Sequence, residues 1–543
     1  MAVLHPTNLK GPCPFVCLVL LPLAMHDWTT TGTLALGCLV VLYIAQRALR
    51  TRIPYPLPPG PPGLPWFGNV IGINKDAPCL TYAEWARTYG DLVYSRLLGR
   101  DIIIINSEKI AKDLLEIRSK NYSDRPYFIT NELCGVDFNS ALMSYGDRWR
   151  LHRRFFHQTF GPEAAPRFLP YQHRRACHLL HRLLETPDKF NDHIFEFTAS
   201  VILNSTYDYD PASREDDLVD IVANLLTIVV PAMRPDIAVI LGAFPCLLYL
   251  PSWFPGMSFK REMAVARAYS KQYLERAFEY GLQKVVMNNS VAPSMIHDAL
   301  QRMEENKVSP SESWMQGLKG AAGTAFLAAS ETSNSSLMTF ILMMVMNPAA
   351  QEKAQAQIDA VVGRDRLPGI EDRPLLPFID AIFRETIRFS PVLPLSIPYA
   401  AIDDDMYHGY HIPKGAILLA NLWSMAHDES RYPNPHTFIP ERFLNDDGSL
   451  KPNDTQHLAF GFGRRTCVGR HFADASVWTV MAKVLAVFNI LGPLDENGVE
   501  MPVEPRFSTG IAIHPLPFRC RIVPRCEGMD AERLERLIAA SVV

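Results

Sequence analysis

The chain of 543 residues contains ten cysteines but no Cys-x-x-Cys pair. That spacing speaks against a zinc site, an iron–sulfur site or a disulfide scaffold, and suits reduced thiols. A glycine-rich dinucleotide fingerprint is also missing: Gly461-x-Gly463 runs into the loop that carries Cys467, so NADPH and flavin binding by the usual motifs is excluded. Neither a repeat nor a low-complexity tract occurs, and composition does not break between Pro54 and Arg525. With 48% hydrophobic residues, the chain can bury one large core, and a single catalytic domain is expected. The net charge of -4 argues against general nucleic-acid affinity.

Charge is absent from Trp28 to Ala45, 18 residues that are just long enough to span a bilayer. Arg47, Arg50 and Arg52 follow and place that end in the cytosol. An earlier apolar run, Cys13 to Met25, follows Lys10 and contains Pro14 and Pro22. An interfacial segment, a second short span and a cleaved signal all stay open there, the last disfavoured by the lack of a small-residue cleavage site. Seven prolines between Pro54 and Pro65 should make a stiff extended spacer. The expected organisation is an N-terminal apolar segment (1–27), a transmembrane anchor (28–45), a basic and proline-rich hinge (46–66), a catalytic domain (67–527) and a tail (528–543). In the tail, Leu534, Leu537 and Ile538 recur at helical spacing.

Within the domain, Leu92–Leu98 and Asp101–Asn106 predict a hairpin around Gly99-Arg100, followed by a helix from Glu108 to Ile117. Proline is absent from Gly317 to Met346 and returns at Asn347-Pro348, which predicts a helix of roughly 45 Å. Thr324, Ala328, Glu331, Ser335 and Thr339 share one stripe of it. A membrane span is disfavoured by Glu331 and Asn334 near its centre. On the helix expected from Phe378 to Phe389, the carboxylate of Glu385 shares an apolar stripe with Phe378 and Ile382, where leaving it unpaired would be costly. Arg388 is within reach, and Arg442 is a third candidate member. On spacing alone, such a pair is a surface salt bridge of little consequence.

Glycines at 461, 463 and 469 surround Cys467, and lacking a Cβ they would let the backbone approach a flat cofactor. Arg464, Arg465 and the N-terminus of the next helix should favour thiolate over thiol. A buried structural cysteine in a glycine turn is the plain alternative. In the stretch Tyr145 to Arg154, Trp149 and Arg153 share a helix face, and a solvated basic helix is the corresponding alternative there. Between Asp454 and Asp474 the chain carries Arg464, Arg465, Arg470 and His471 and no acid, a face that could attract an acidic partner.

Phe460, Gly463, Arg465, Cys467 and Gly469 together match the haem-binding loop of the cytochrome P450 monooxygenases, and the region from Pro54 to Arg525 resembles that family, closest to fungal secondary-metabolism members anchored in the endoplasmic reticulum. The resemblance implies a mainly α fold with a smaller β region, a triangular helical prism around haem b, preceded by an N-terminal transmembrane helix. It makes Cys467 the axial thiolate, a soft ligand that favours O–O cleavage where histidine would give a globin-like or peroxidase-like site. Trp149, Arg153 and Arg465 become propionate donors, since buried carboxylates need N–H or cationic partners. Ala328-Ala329-Ser330-Glu331-Thr332-Ser333 resembles the family's oxygen-handling motif with Ala329 in place of glycine, and assigns Glu331 and Thr332 to water organisation and proton delivery. Glu385-Thr386-Ile387-Arg388 resembles the Glu-x-x-Arg helix and, with Arg442, becomes a structural triad without a catalytic step. Tyr399 stands where many relatives carry a basic residue, which would leave one propionate contact weaker or phenolic.

By the same resemblance, electrons come from NADPH-cytochrome P450 reductase, with cytochrome b5 as a further donor, and the domain faces the cytosol, so that Asn121-Tyr-Ser123 stays unmodified. The pocket residues implied by position are those near Phe138, Phe326, Leu395 to Ile397 and Phe507 to Ile511, mostly apolar. They favour an apolar small molecule such as a terpenoid skeleton, with an aromatic, indole or polyketide substrate as the alternative. Phe244, Leu247, Leu248, Leu250, Trp253 and Phe254 read either as core or as a second membrane contact. A non-redox haem-thiolate isomerase or dehydratase and a haem sensor are the other functional classes, and the Glu331-Thr332 pair argues against both.

Overall fold

Apolar periodicity, caps and proline placement set the helices, and a computed structural model describes residues 55–541 apart from Trp66, 212–215, 233–237, 239, 243, 288–292 and 453–454. The expected apolar segment and transmembrane helix, residues 1–45, lie outside the described residues. Among the described residues no helix is long and apolar enough to cross a membrane. Residues Leu57–Val543 form one compact unit.

The longer elements run in the order α1 (Pro78–Tyr89), β1 (Leu92–Leu97), β2 (Arg100–Ile105), α2 (Asp147–Phe160), α3 (Leu169–Glu185), α4 (Phe190–Tyr207), α5 (Asp217–Ala232), α6 (Phe259–Val286), α7 (Met295–Glu305), α8 (Glu312–Met346) and α9 (Pro348–Val361). Then follow α10 (Pro377–Phe389), β3 (Tyr399–Ala400), β4 (Asp405–Tyr407), β5 (Tyr410–Ile412), β6 (Ile417–Ala420), α11 (Arg470–Val487), β7 (Phe488–Leu491), β8 (Arg521–Pro524) and α12 (Ala531–Ala539). This is the expected mainly helical architecture with a small β region.

The predicted hairpin forms, with Leu92 opposite Ile105 and Leu97 opposite Arg100. It does not stand alone: β6 adds parallel to β2 with Ile102 opposite Ile417, and β3 closes the sheet antiparallel to β6. Alternate residues of β2 face two separate cores, Ile103 and Ile105 on one side, Ile102 and Ile104 on the other, as the two-residue strand period requires. The proline-rich stretch is not a free spacer throughout. The Pro59 carbonyl accepts from Tyr94 N–H at 2.9 Å, and Asn69 Nδ2 donates to the Pro61 and Pro62 carbonyls at 3.2 Å, so this part lies along the β1 edge.

Helix α8 begins at Glu312, five residues before Gly317, because Ser311 caps it by accepting from Trp314 N–H. It threads the main core, with Leu318, Phe326, Leu337, Phe340 and Met343 fully or almost fully buried. Its small residues let α2 approach closely: a Cβ at Gly320 would meet His152 Cε1 at 2.9 Å. The C-terminal tail docks as well. Leu534 of α12 is fully buried and Ser541 Oγ accepts from Leu367 N–H at 2.6 Å, so residues 528–541 complete the core next to α3.

Candidate active site

Trp149 and Arg153 from α2, Thr324 to Ser336 from α8, Ser396 to Tyr399, and the loop Phe460–Gly469 enclose a cavity of about 320 Å³ with mostly apolar walls. The loop's path is dictated by backbone. Gly463 has φ +56°, and a Cβ there would lie 2.0 Å from the Leu115 carbonyl oxygen, a position only glycine fits. Cys467 N–H donates to the Phe460 carbonyl at 2.8 Å, closing the turn just before α11. Phe460, Gly461 and Gly469 line the cavity with it.

Cys467 opens to the cavity although it lies deep in the protein. Burial pushes its thiol up, opposed by the Gly469 N–H and by the guanidiniums of Arg153 and Arg470. The expectation that Arg464 and Arg465 favour thiolate is therefore corrected. Arg464 is exposed and donates to Tyr145 Oη at 2.8 Å, burial outweighs the cations, and deprotonation is left to a bound metal ion.

Arg465 turns inward. Its Nε donates to the Ser123 carbonyl at 2.7 Å and its Nη2 to the Met143 carbonyl at 2.8 Å, while the guanidinium lies over the Trp149 ring at 4.5 Å. Arg153 Nη1 donates to the Thr466 carbonyl at 2.7 Å. A third cation, Arg125, is absent from the sequence-based set. Its Nη1 donates to the Ile397 and Pro398 carbonyls, both at 2.7 Å, and its guanidinium stacks 4.4 Å from the centre of the Tyr399 ring. Arg125 thus brings positive charge to the position where Tyr399 replaces a base. Burial and the neighbouring Arg125 hold Arg465 down, to about 9.

Among the described residues no carboxylate lies within ion-pairing distance of the guanidiniums of Arg125, Arg153 or Arg465, which donate to backbone carbonyls and lie against the Tyr399 and Trp149 rings. Three desolvated guanidiniums and a thiol on one apolar cavity are what a planar, dianionic iron macrocycle requires, so these residues fit haem. On α8, Thr332 lines the cavity and its hydroxyl donates to the Ala328 carbonyl at 2.8 Å. Ala328 and Ala329 also line it, so the methyl of Ala329 occupies space in the wall. Glu331 pairs instead with His514, Nδ1 to Oε1 3.3 Å.

Glu385 is fully buried and accepts a bidentate pair from Arg388, Nε to Oε2 2.7 Å and Nη2 to Oε1 2.8 Å. Ile439 N–H donates to Oε1 at 2.8 Å, and Arg442 Nε lies 3.1 Å from Oε2. Arg388 also donates to the Ala426 carbonyl at 2.9 Å. The structure therefore brings the three triad residues together, well away from solvent. Of the pocket residues expected by position, Ser396 and Ile397 line the cavity and Ile511 a small neighbouring pocket. Near Phe138 and Phe326, the residues Ser140, Ala141, Thr324 and Ala325 line it, while the two rings themselves are buried in the helical core, Phe326 with its ring 5.7 Å from that of Tyr273.

The sequence profile of the cytochrome P450 family matches residues 58–521. Cytochrome P450 monooxygenase 136 of Postia placenta is 37% identical over 511 residues, covering 93% of this chain and 96% of the relative. Cytochrome P450 monooxygenase claR of Ampulloclitocybe clavipes is 37% identical over 95% of this chain and 94% of its own length. Cytochrome P450 monooxygenase ple1 of Rhodocybe pseudopiperita is 37% identical over 88% and 91%. Matched along nearly its whole length, with a cysteine loop and a cationic cavity that suit the family's haem, the chain belongs to the cytochrome P450 family of haem-thiolate monooxygenases.

Proposed function

We propose that this enzyme oxidises an apolar secondary metabolite, a terpenoid skeleton in a fungal biosynthetic pathway, with electrons from NADPH-cytochrome P450 reductase. The observation that carries the reading is the apolar cavity onto which both Cys467 and Thr332 open. Haem supplies the oxygen-activating chemistry when bound, with Cys467 as its thiolate ligand. The chain's own residues do the rest. Arg125, Arg153, Arg465 and Trp149 neutralise and orient the propionates, and the apolar walls exclude water and hold the substrate. Glu331 takes part in proton delivery, and the neighbouring Thr332 hydroxyl, anchored through its hydrogen to the Ala328 carbonyl, orients water as an acceptor. The buried triad of Glu385, Arg388 and Arg442 fixes the segment that precedes the haem loop.

Titrating haem absorption with terpenoid, aromatic-amine and fatty-acid compounds tests the substrate class: a saturable shift with the aromatic amines alone would discard the terpenoid. On the substrate so identified, Thr332→Ala should keep consuming NADPH while product falls roughly 100-fold and hydrogen peroxide rises. Unchanged product yield would remove Thr332 from the mechanism.

The enzyme is further assigned to the endoplasmic reticulum membrane, its catalytic domain in the cytosol. Besides the expected anchor, the support is an apolar surface in which Tyr249 is 85% and Trp253 78% exposed, with Phe244 and Phe254 also exposed; Leu247 and Leu248 pack inward. Such patches mark interaction surfaces. An anchor-deleted form carrying Trp253→Asp and Phe254→Asp should lose most of its binding to lipid vesicles, and retained binding would refute the contact.

A further inference from the structure

Residues 507–515 form a tight loop held at both ends. Phe507 bridges Pro515, Ser508 N–H donates to the His514 carbonyl at 2.8 Å, and His514 N–H donates to Ser508 Oγ at 3.0 Å. The loop is fastened to two walls of the cavity. Ile513 N–H donates to the Val392 carbonyl at 2.8 Å, and the Ile513 carbonyl accepts from Ser335 Oγ of α8 at 2.7 Å. That last bond fixes the loop one helical turn from Glu331 and brings the His514 ring to the carboxylate, Nδ1 to Oε1 3.3 Å.

The pairing is electrostatically isolated. Glu331 is the sole ionisable residue of α8 between Lys319 and Met346, the adjoining stretch Ser390–Pro398 contains none, and the loop 507–515 carries only His514, with Arg506 and Glu504 just ahead of it. Among the described residues neither partner has another opposite charge within ion-pairing distance. Exposure is graded along the line: the His514 side chain is 43% exposed and Glu331 20%, and the next residue, Thr332, lines the cavity. Solvent, imidazole and carboxylate thus follow one another, with the carboxylate one position along α8 from the cavity-lining Thr332. An imidazole can take a proton on one ring nitrogen while releasing one from the other.

We infer that His514 is a positioning residue that recharges Glu331 with protons from solvent, by accepting a proton at Nε2 and passing the Nδ1 proton to the Glu331 carboxylate. The step moves protons only and leaves the ring in the opposite tautomer, which resets by exchange with water. It rests on the assignment of Glu331 to proton delivery.

The test uses the full chain with its reductase and four variants, His514→Gln, His514→Asn, Glu331→Gln and the double variant of His514→Gln with Glu331→Gln, each checked for haem loading by its ferrous carbon monoxide spectrum. His514→Gln should lower product formed per NADPH several-fold, release peroxide, and flatten the change of that ratio between pH 5 and 8, where histidines exchange protons. His514→Asn, which retains a donor near the Nδ1 position but cannot titrate, should preserve substrate affinity and still flatten the profile. The double variant with Glu331→Gln should be no worse than Glu331→Gln alone, as expected for two members of one chain of transfer.

Independently of turnover, the ring resonance of His514, recognised by its loss in His514→Asn, should move in Glu331→Gln relative to the unmodified enzyme. An unmoved resonance would overturn the pair. If Glu331→Gln uncouples and His514→Gln does not, the relay is wrong and the Glu331 assignment stands. If Glu331→Gln couples normally, the assignment of Glu331 falls and the relay with it.

Discussion

Replacing Cys467 by serine should abolish product formation and shift the ferrous carbon monoxide band away from the position of thiolate-ligated haem, while leaving the fold intact. The thiol's own hydrogen bonds contribute little to the loop. The backbone bond from Cys467 N–H to Phe460 and the glycine geometry at 463 hold the turn without it. What serine removes is the soft, electron-rich ligand. Because burial pushes the thiol up, haem capture by the unmodified protein should release a proton, and the serine variant should not release it. Unfolding curves and absorption spectra of the two proteins check this expectation. A serine variant with product at even a tenth of the normal rate would show that the loop is not the ligand site.

A second large effect is expected at Glu385, this time on stability. Glu385→Ala leaves the Arg388 guanidinium fully buried with the Ala426 carbonyl and the face of the Tyr432 ring beside it and no counter-charge, and removing one member of a buried pair costs ~3–5 kcal/mol. Arg388→Ala should cost less, since the carboxylate keeps the Ile439 N–H and Arg442. Replacing both with apolar residues of similar volume should restore much of the loss. Urea unfolding midpoints of the three variants measure the asymmetry, and haem retention after gel filtration shows whether the loop follows the triad. Equal losses for Glu385→Ala and an exposed control pair such as Arg536 and Glu532 would refute the role of burial.

The parts legible in the sequence are those whose chemistry is contiguous. The Cys467 loop, the proline-free helix and the Glu385–Arg388 spacing each lie within one element, so residue order alone fixes their geometry. The hairpin at Leu92–Ile105 was readable for the same reason. Its parallel partner β6 was not, because a strand more than 300 positions away pairs by tertiary packing that no local pattern announces. Arg125 escaped notice likewise: its carbonyl partners at Ile397 and Pro398 lie 272 and 273 residues along the chain. Phe138 and Phe326 mark the pocket only through their neighbours, since on a helix or tight turn adjacent positions face different ways and the two rings turn to the core. The early start of α8 had a signal, Ser311 followed by Glu312, in the usual place for an N-cap.

The most direct test of the account is the ferrous carbon monoxide difference spectrum of the full-length protein, reconstituted with haem and recorded beside Cys467→Ser. The account predicts the band of a cysteine-thiolate haem in the unmodified protein and its loss in the variant. A spectrum of nitrogen-ligated haem in the unmodified protein, or a thiolate band that survives the substitution, would contradict it.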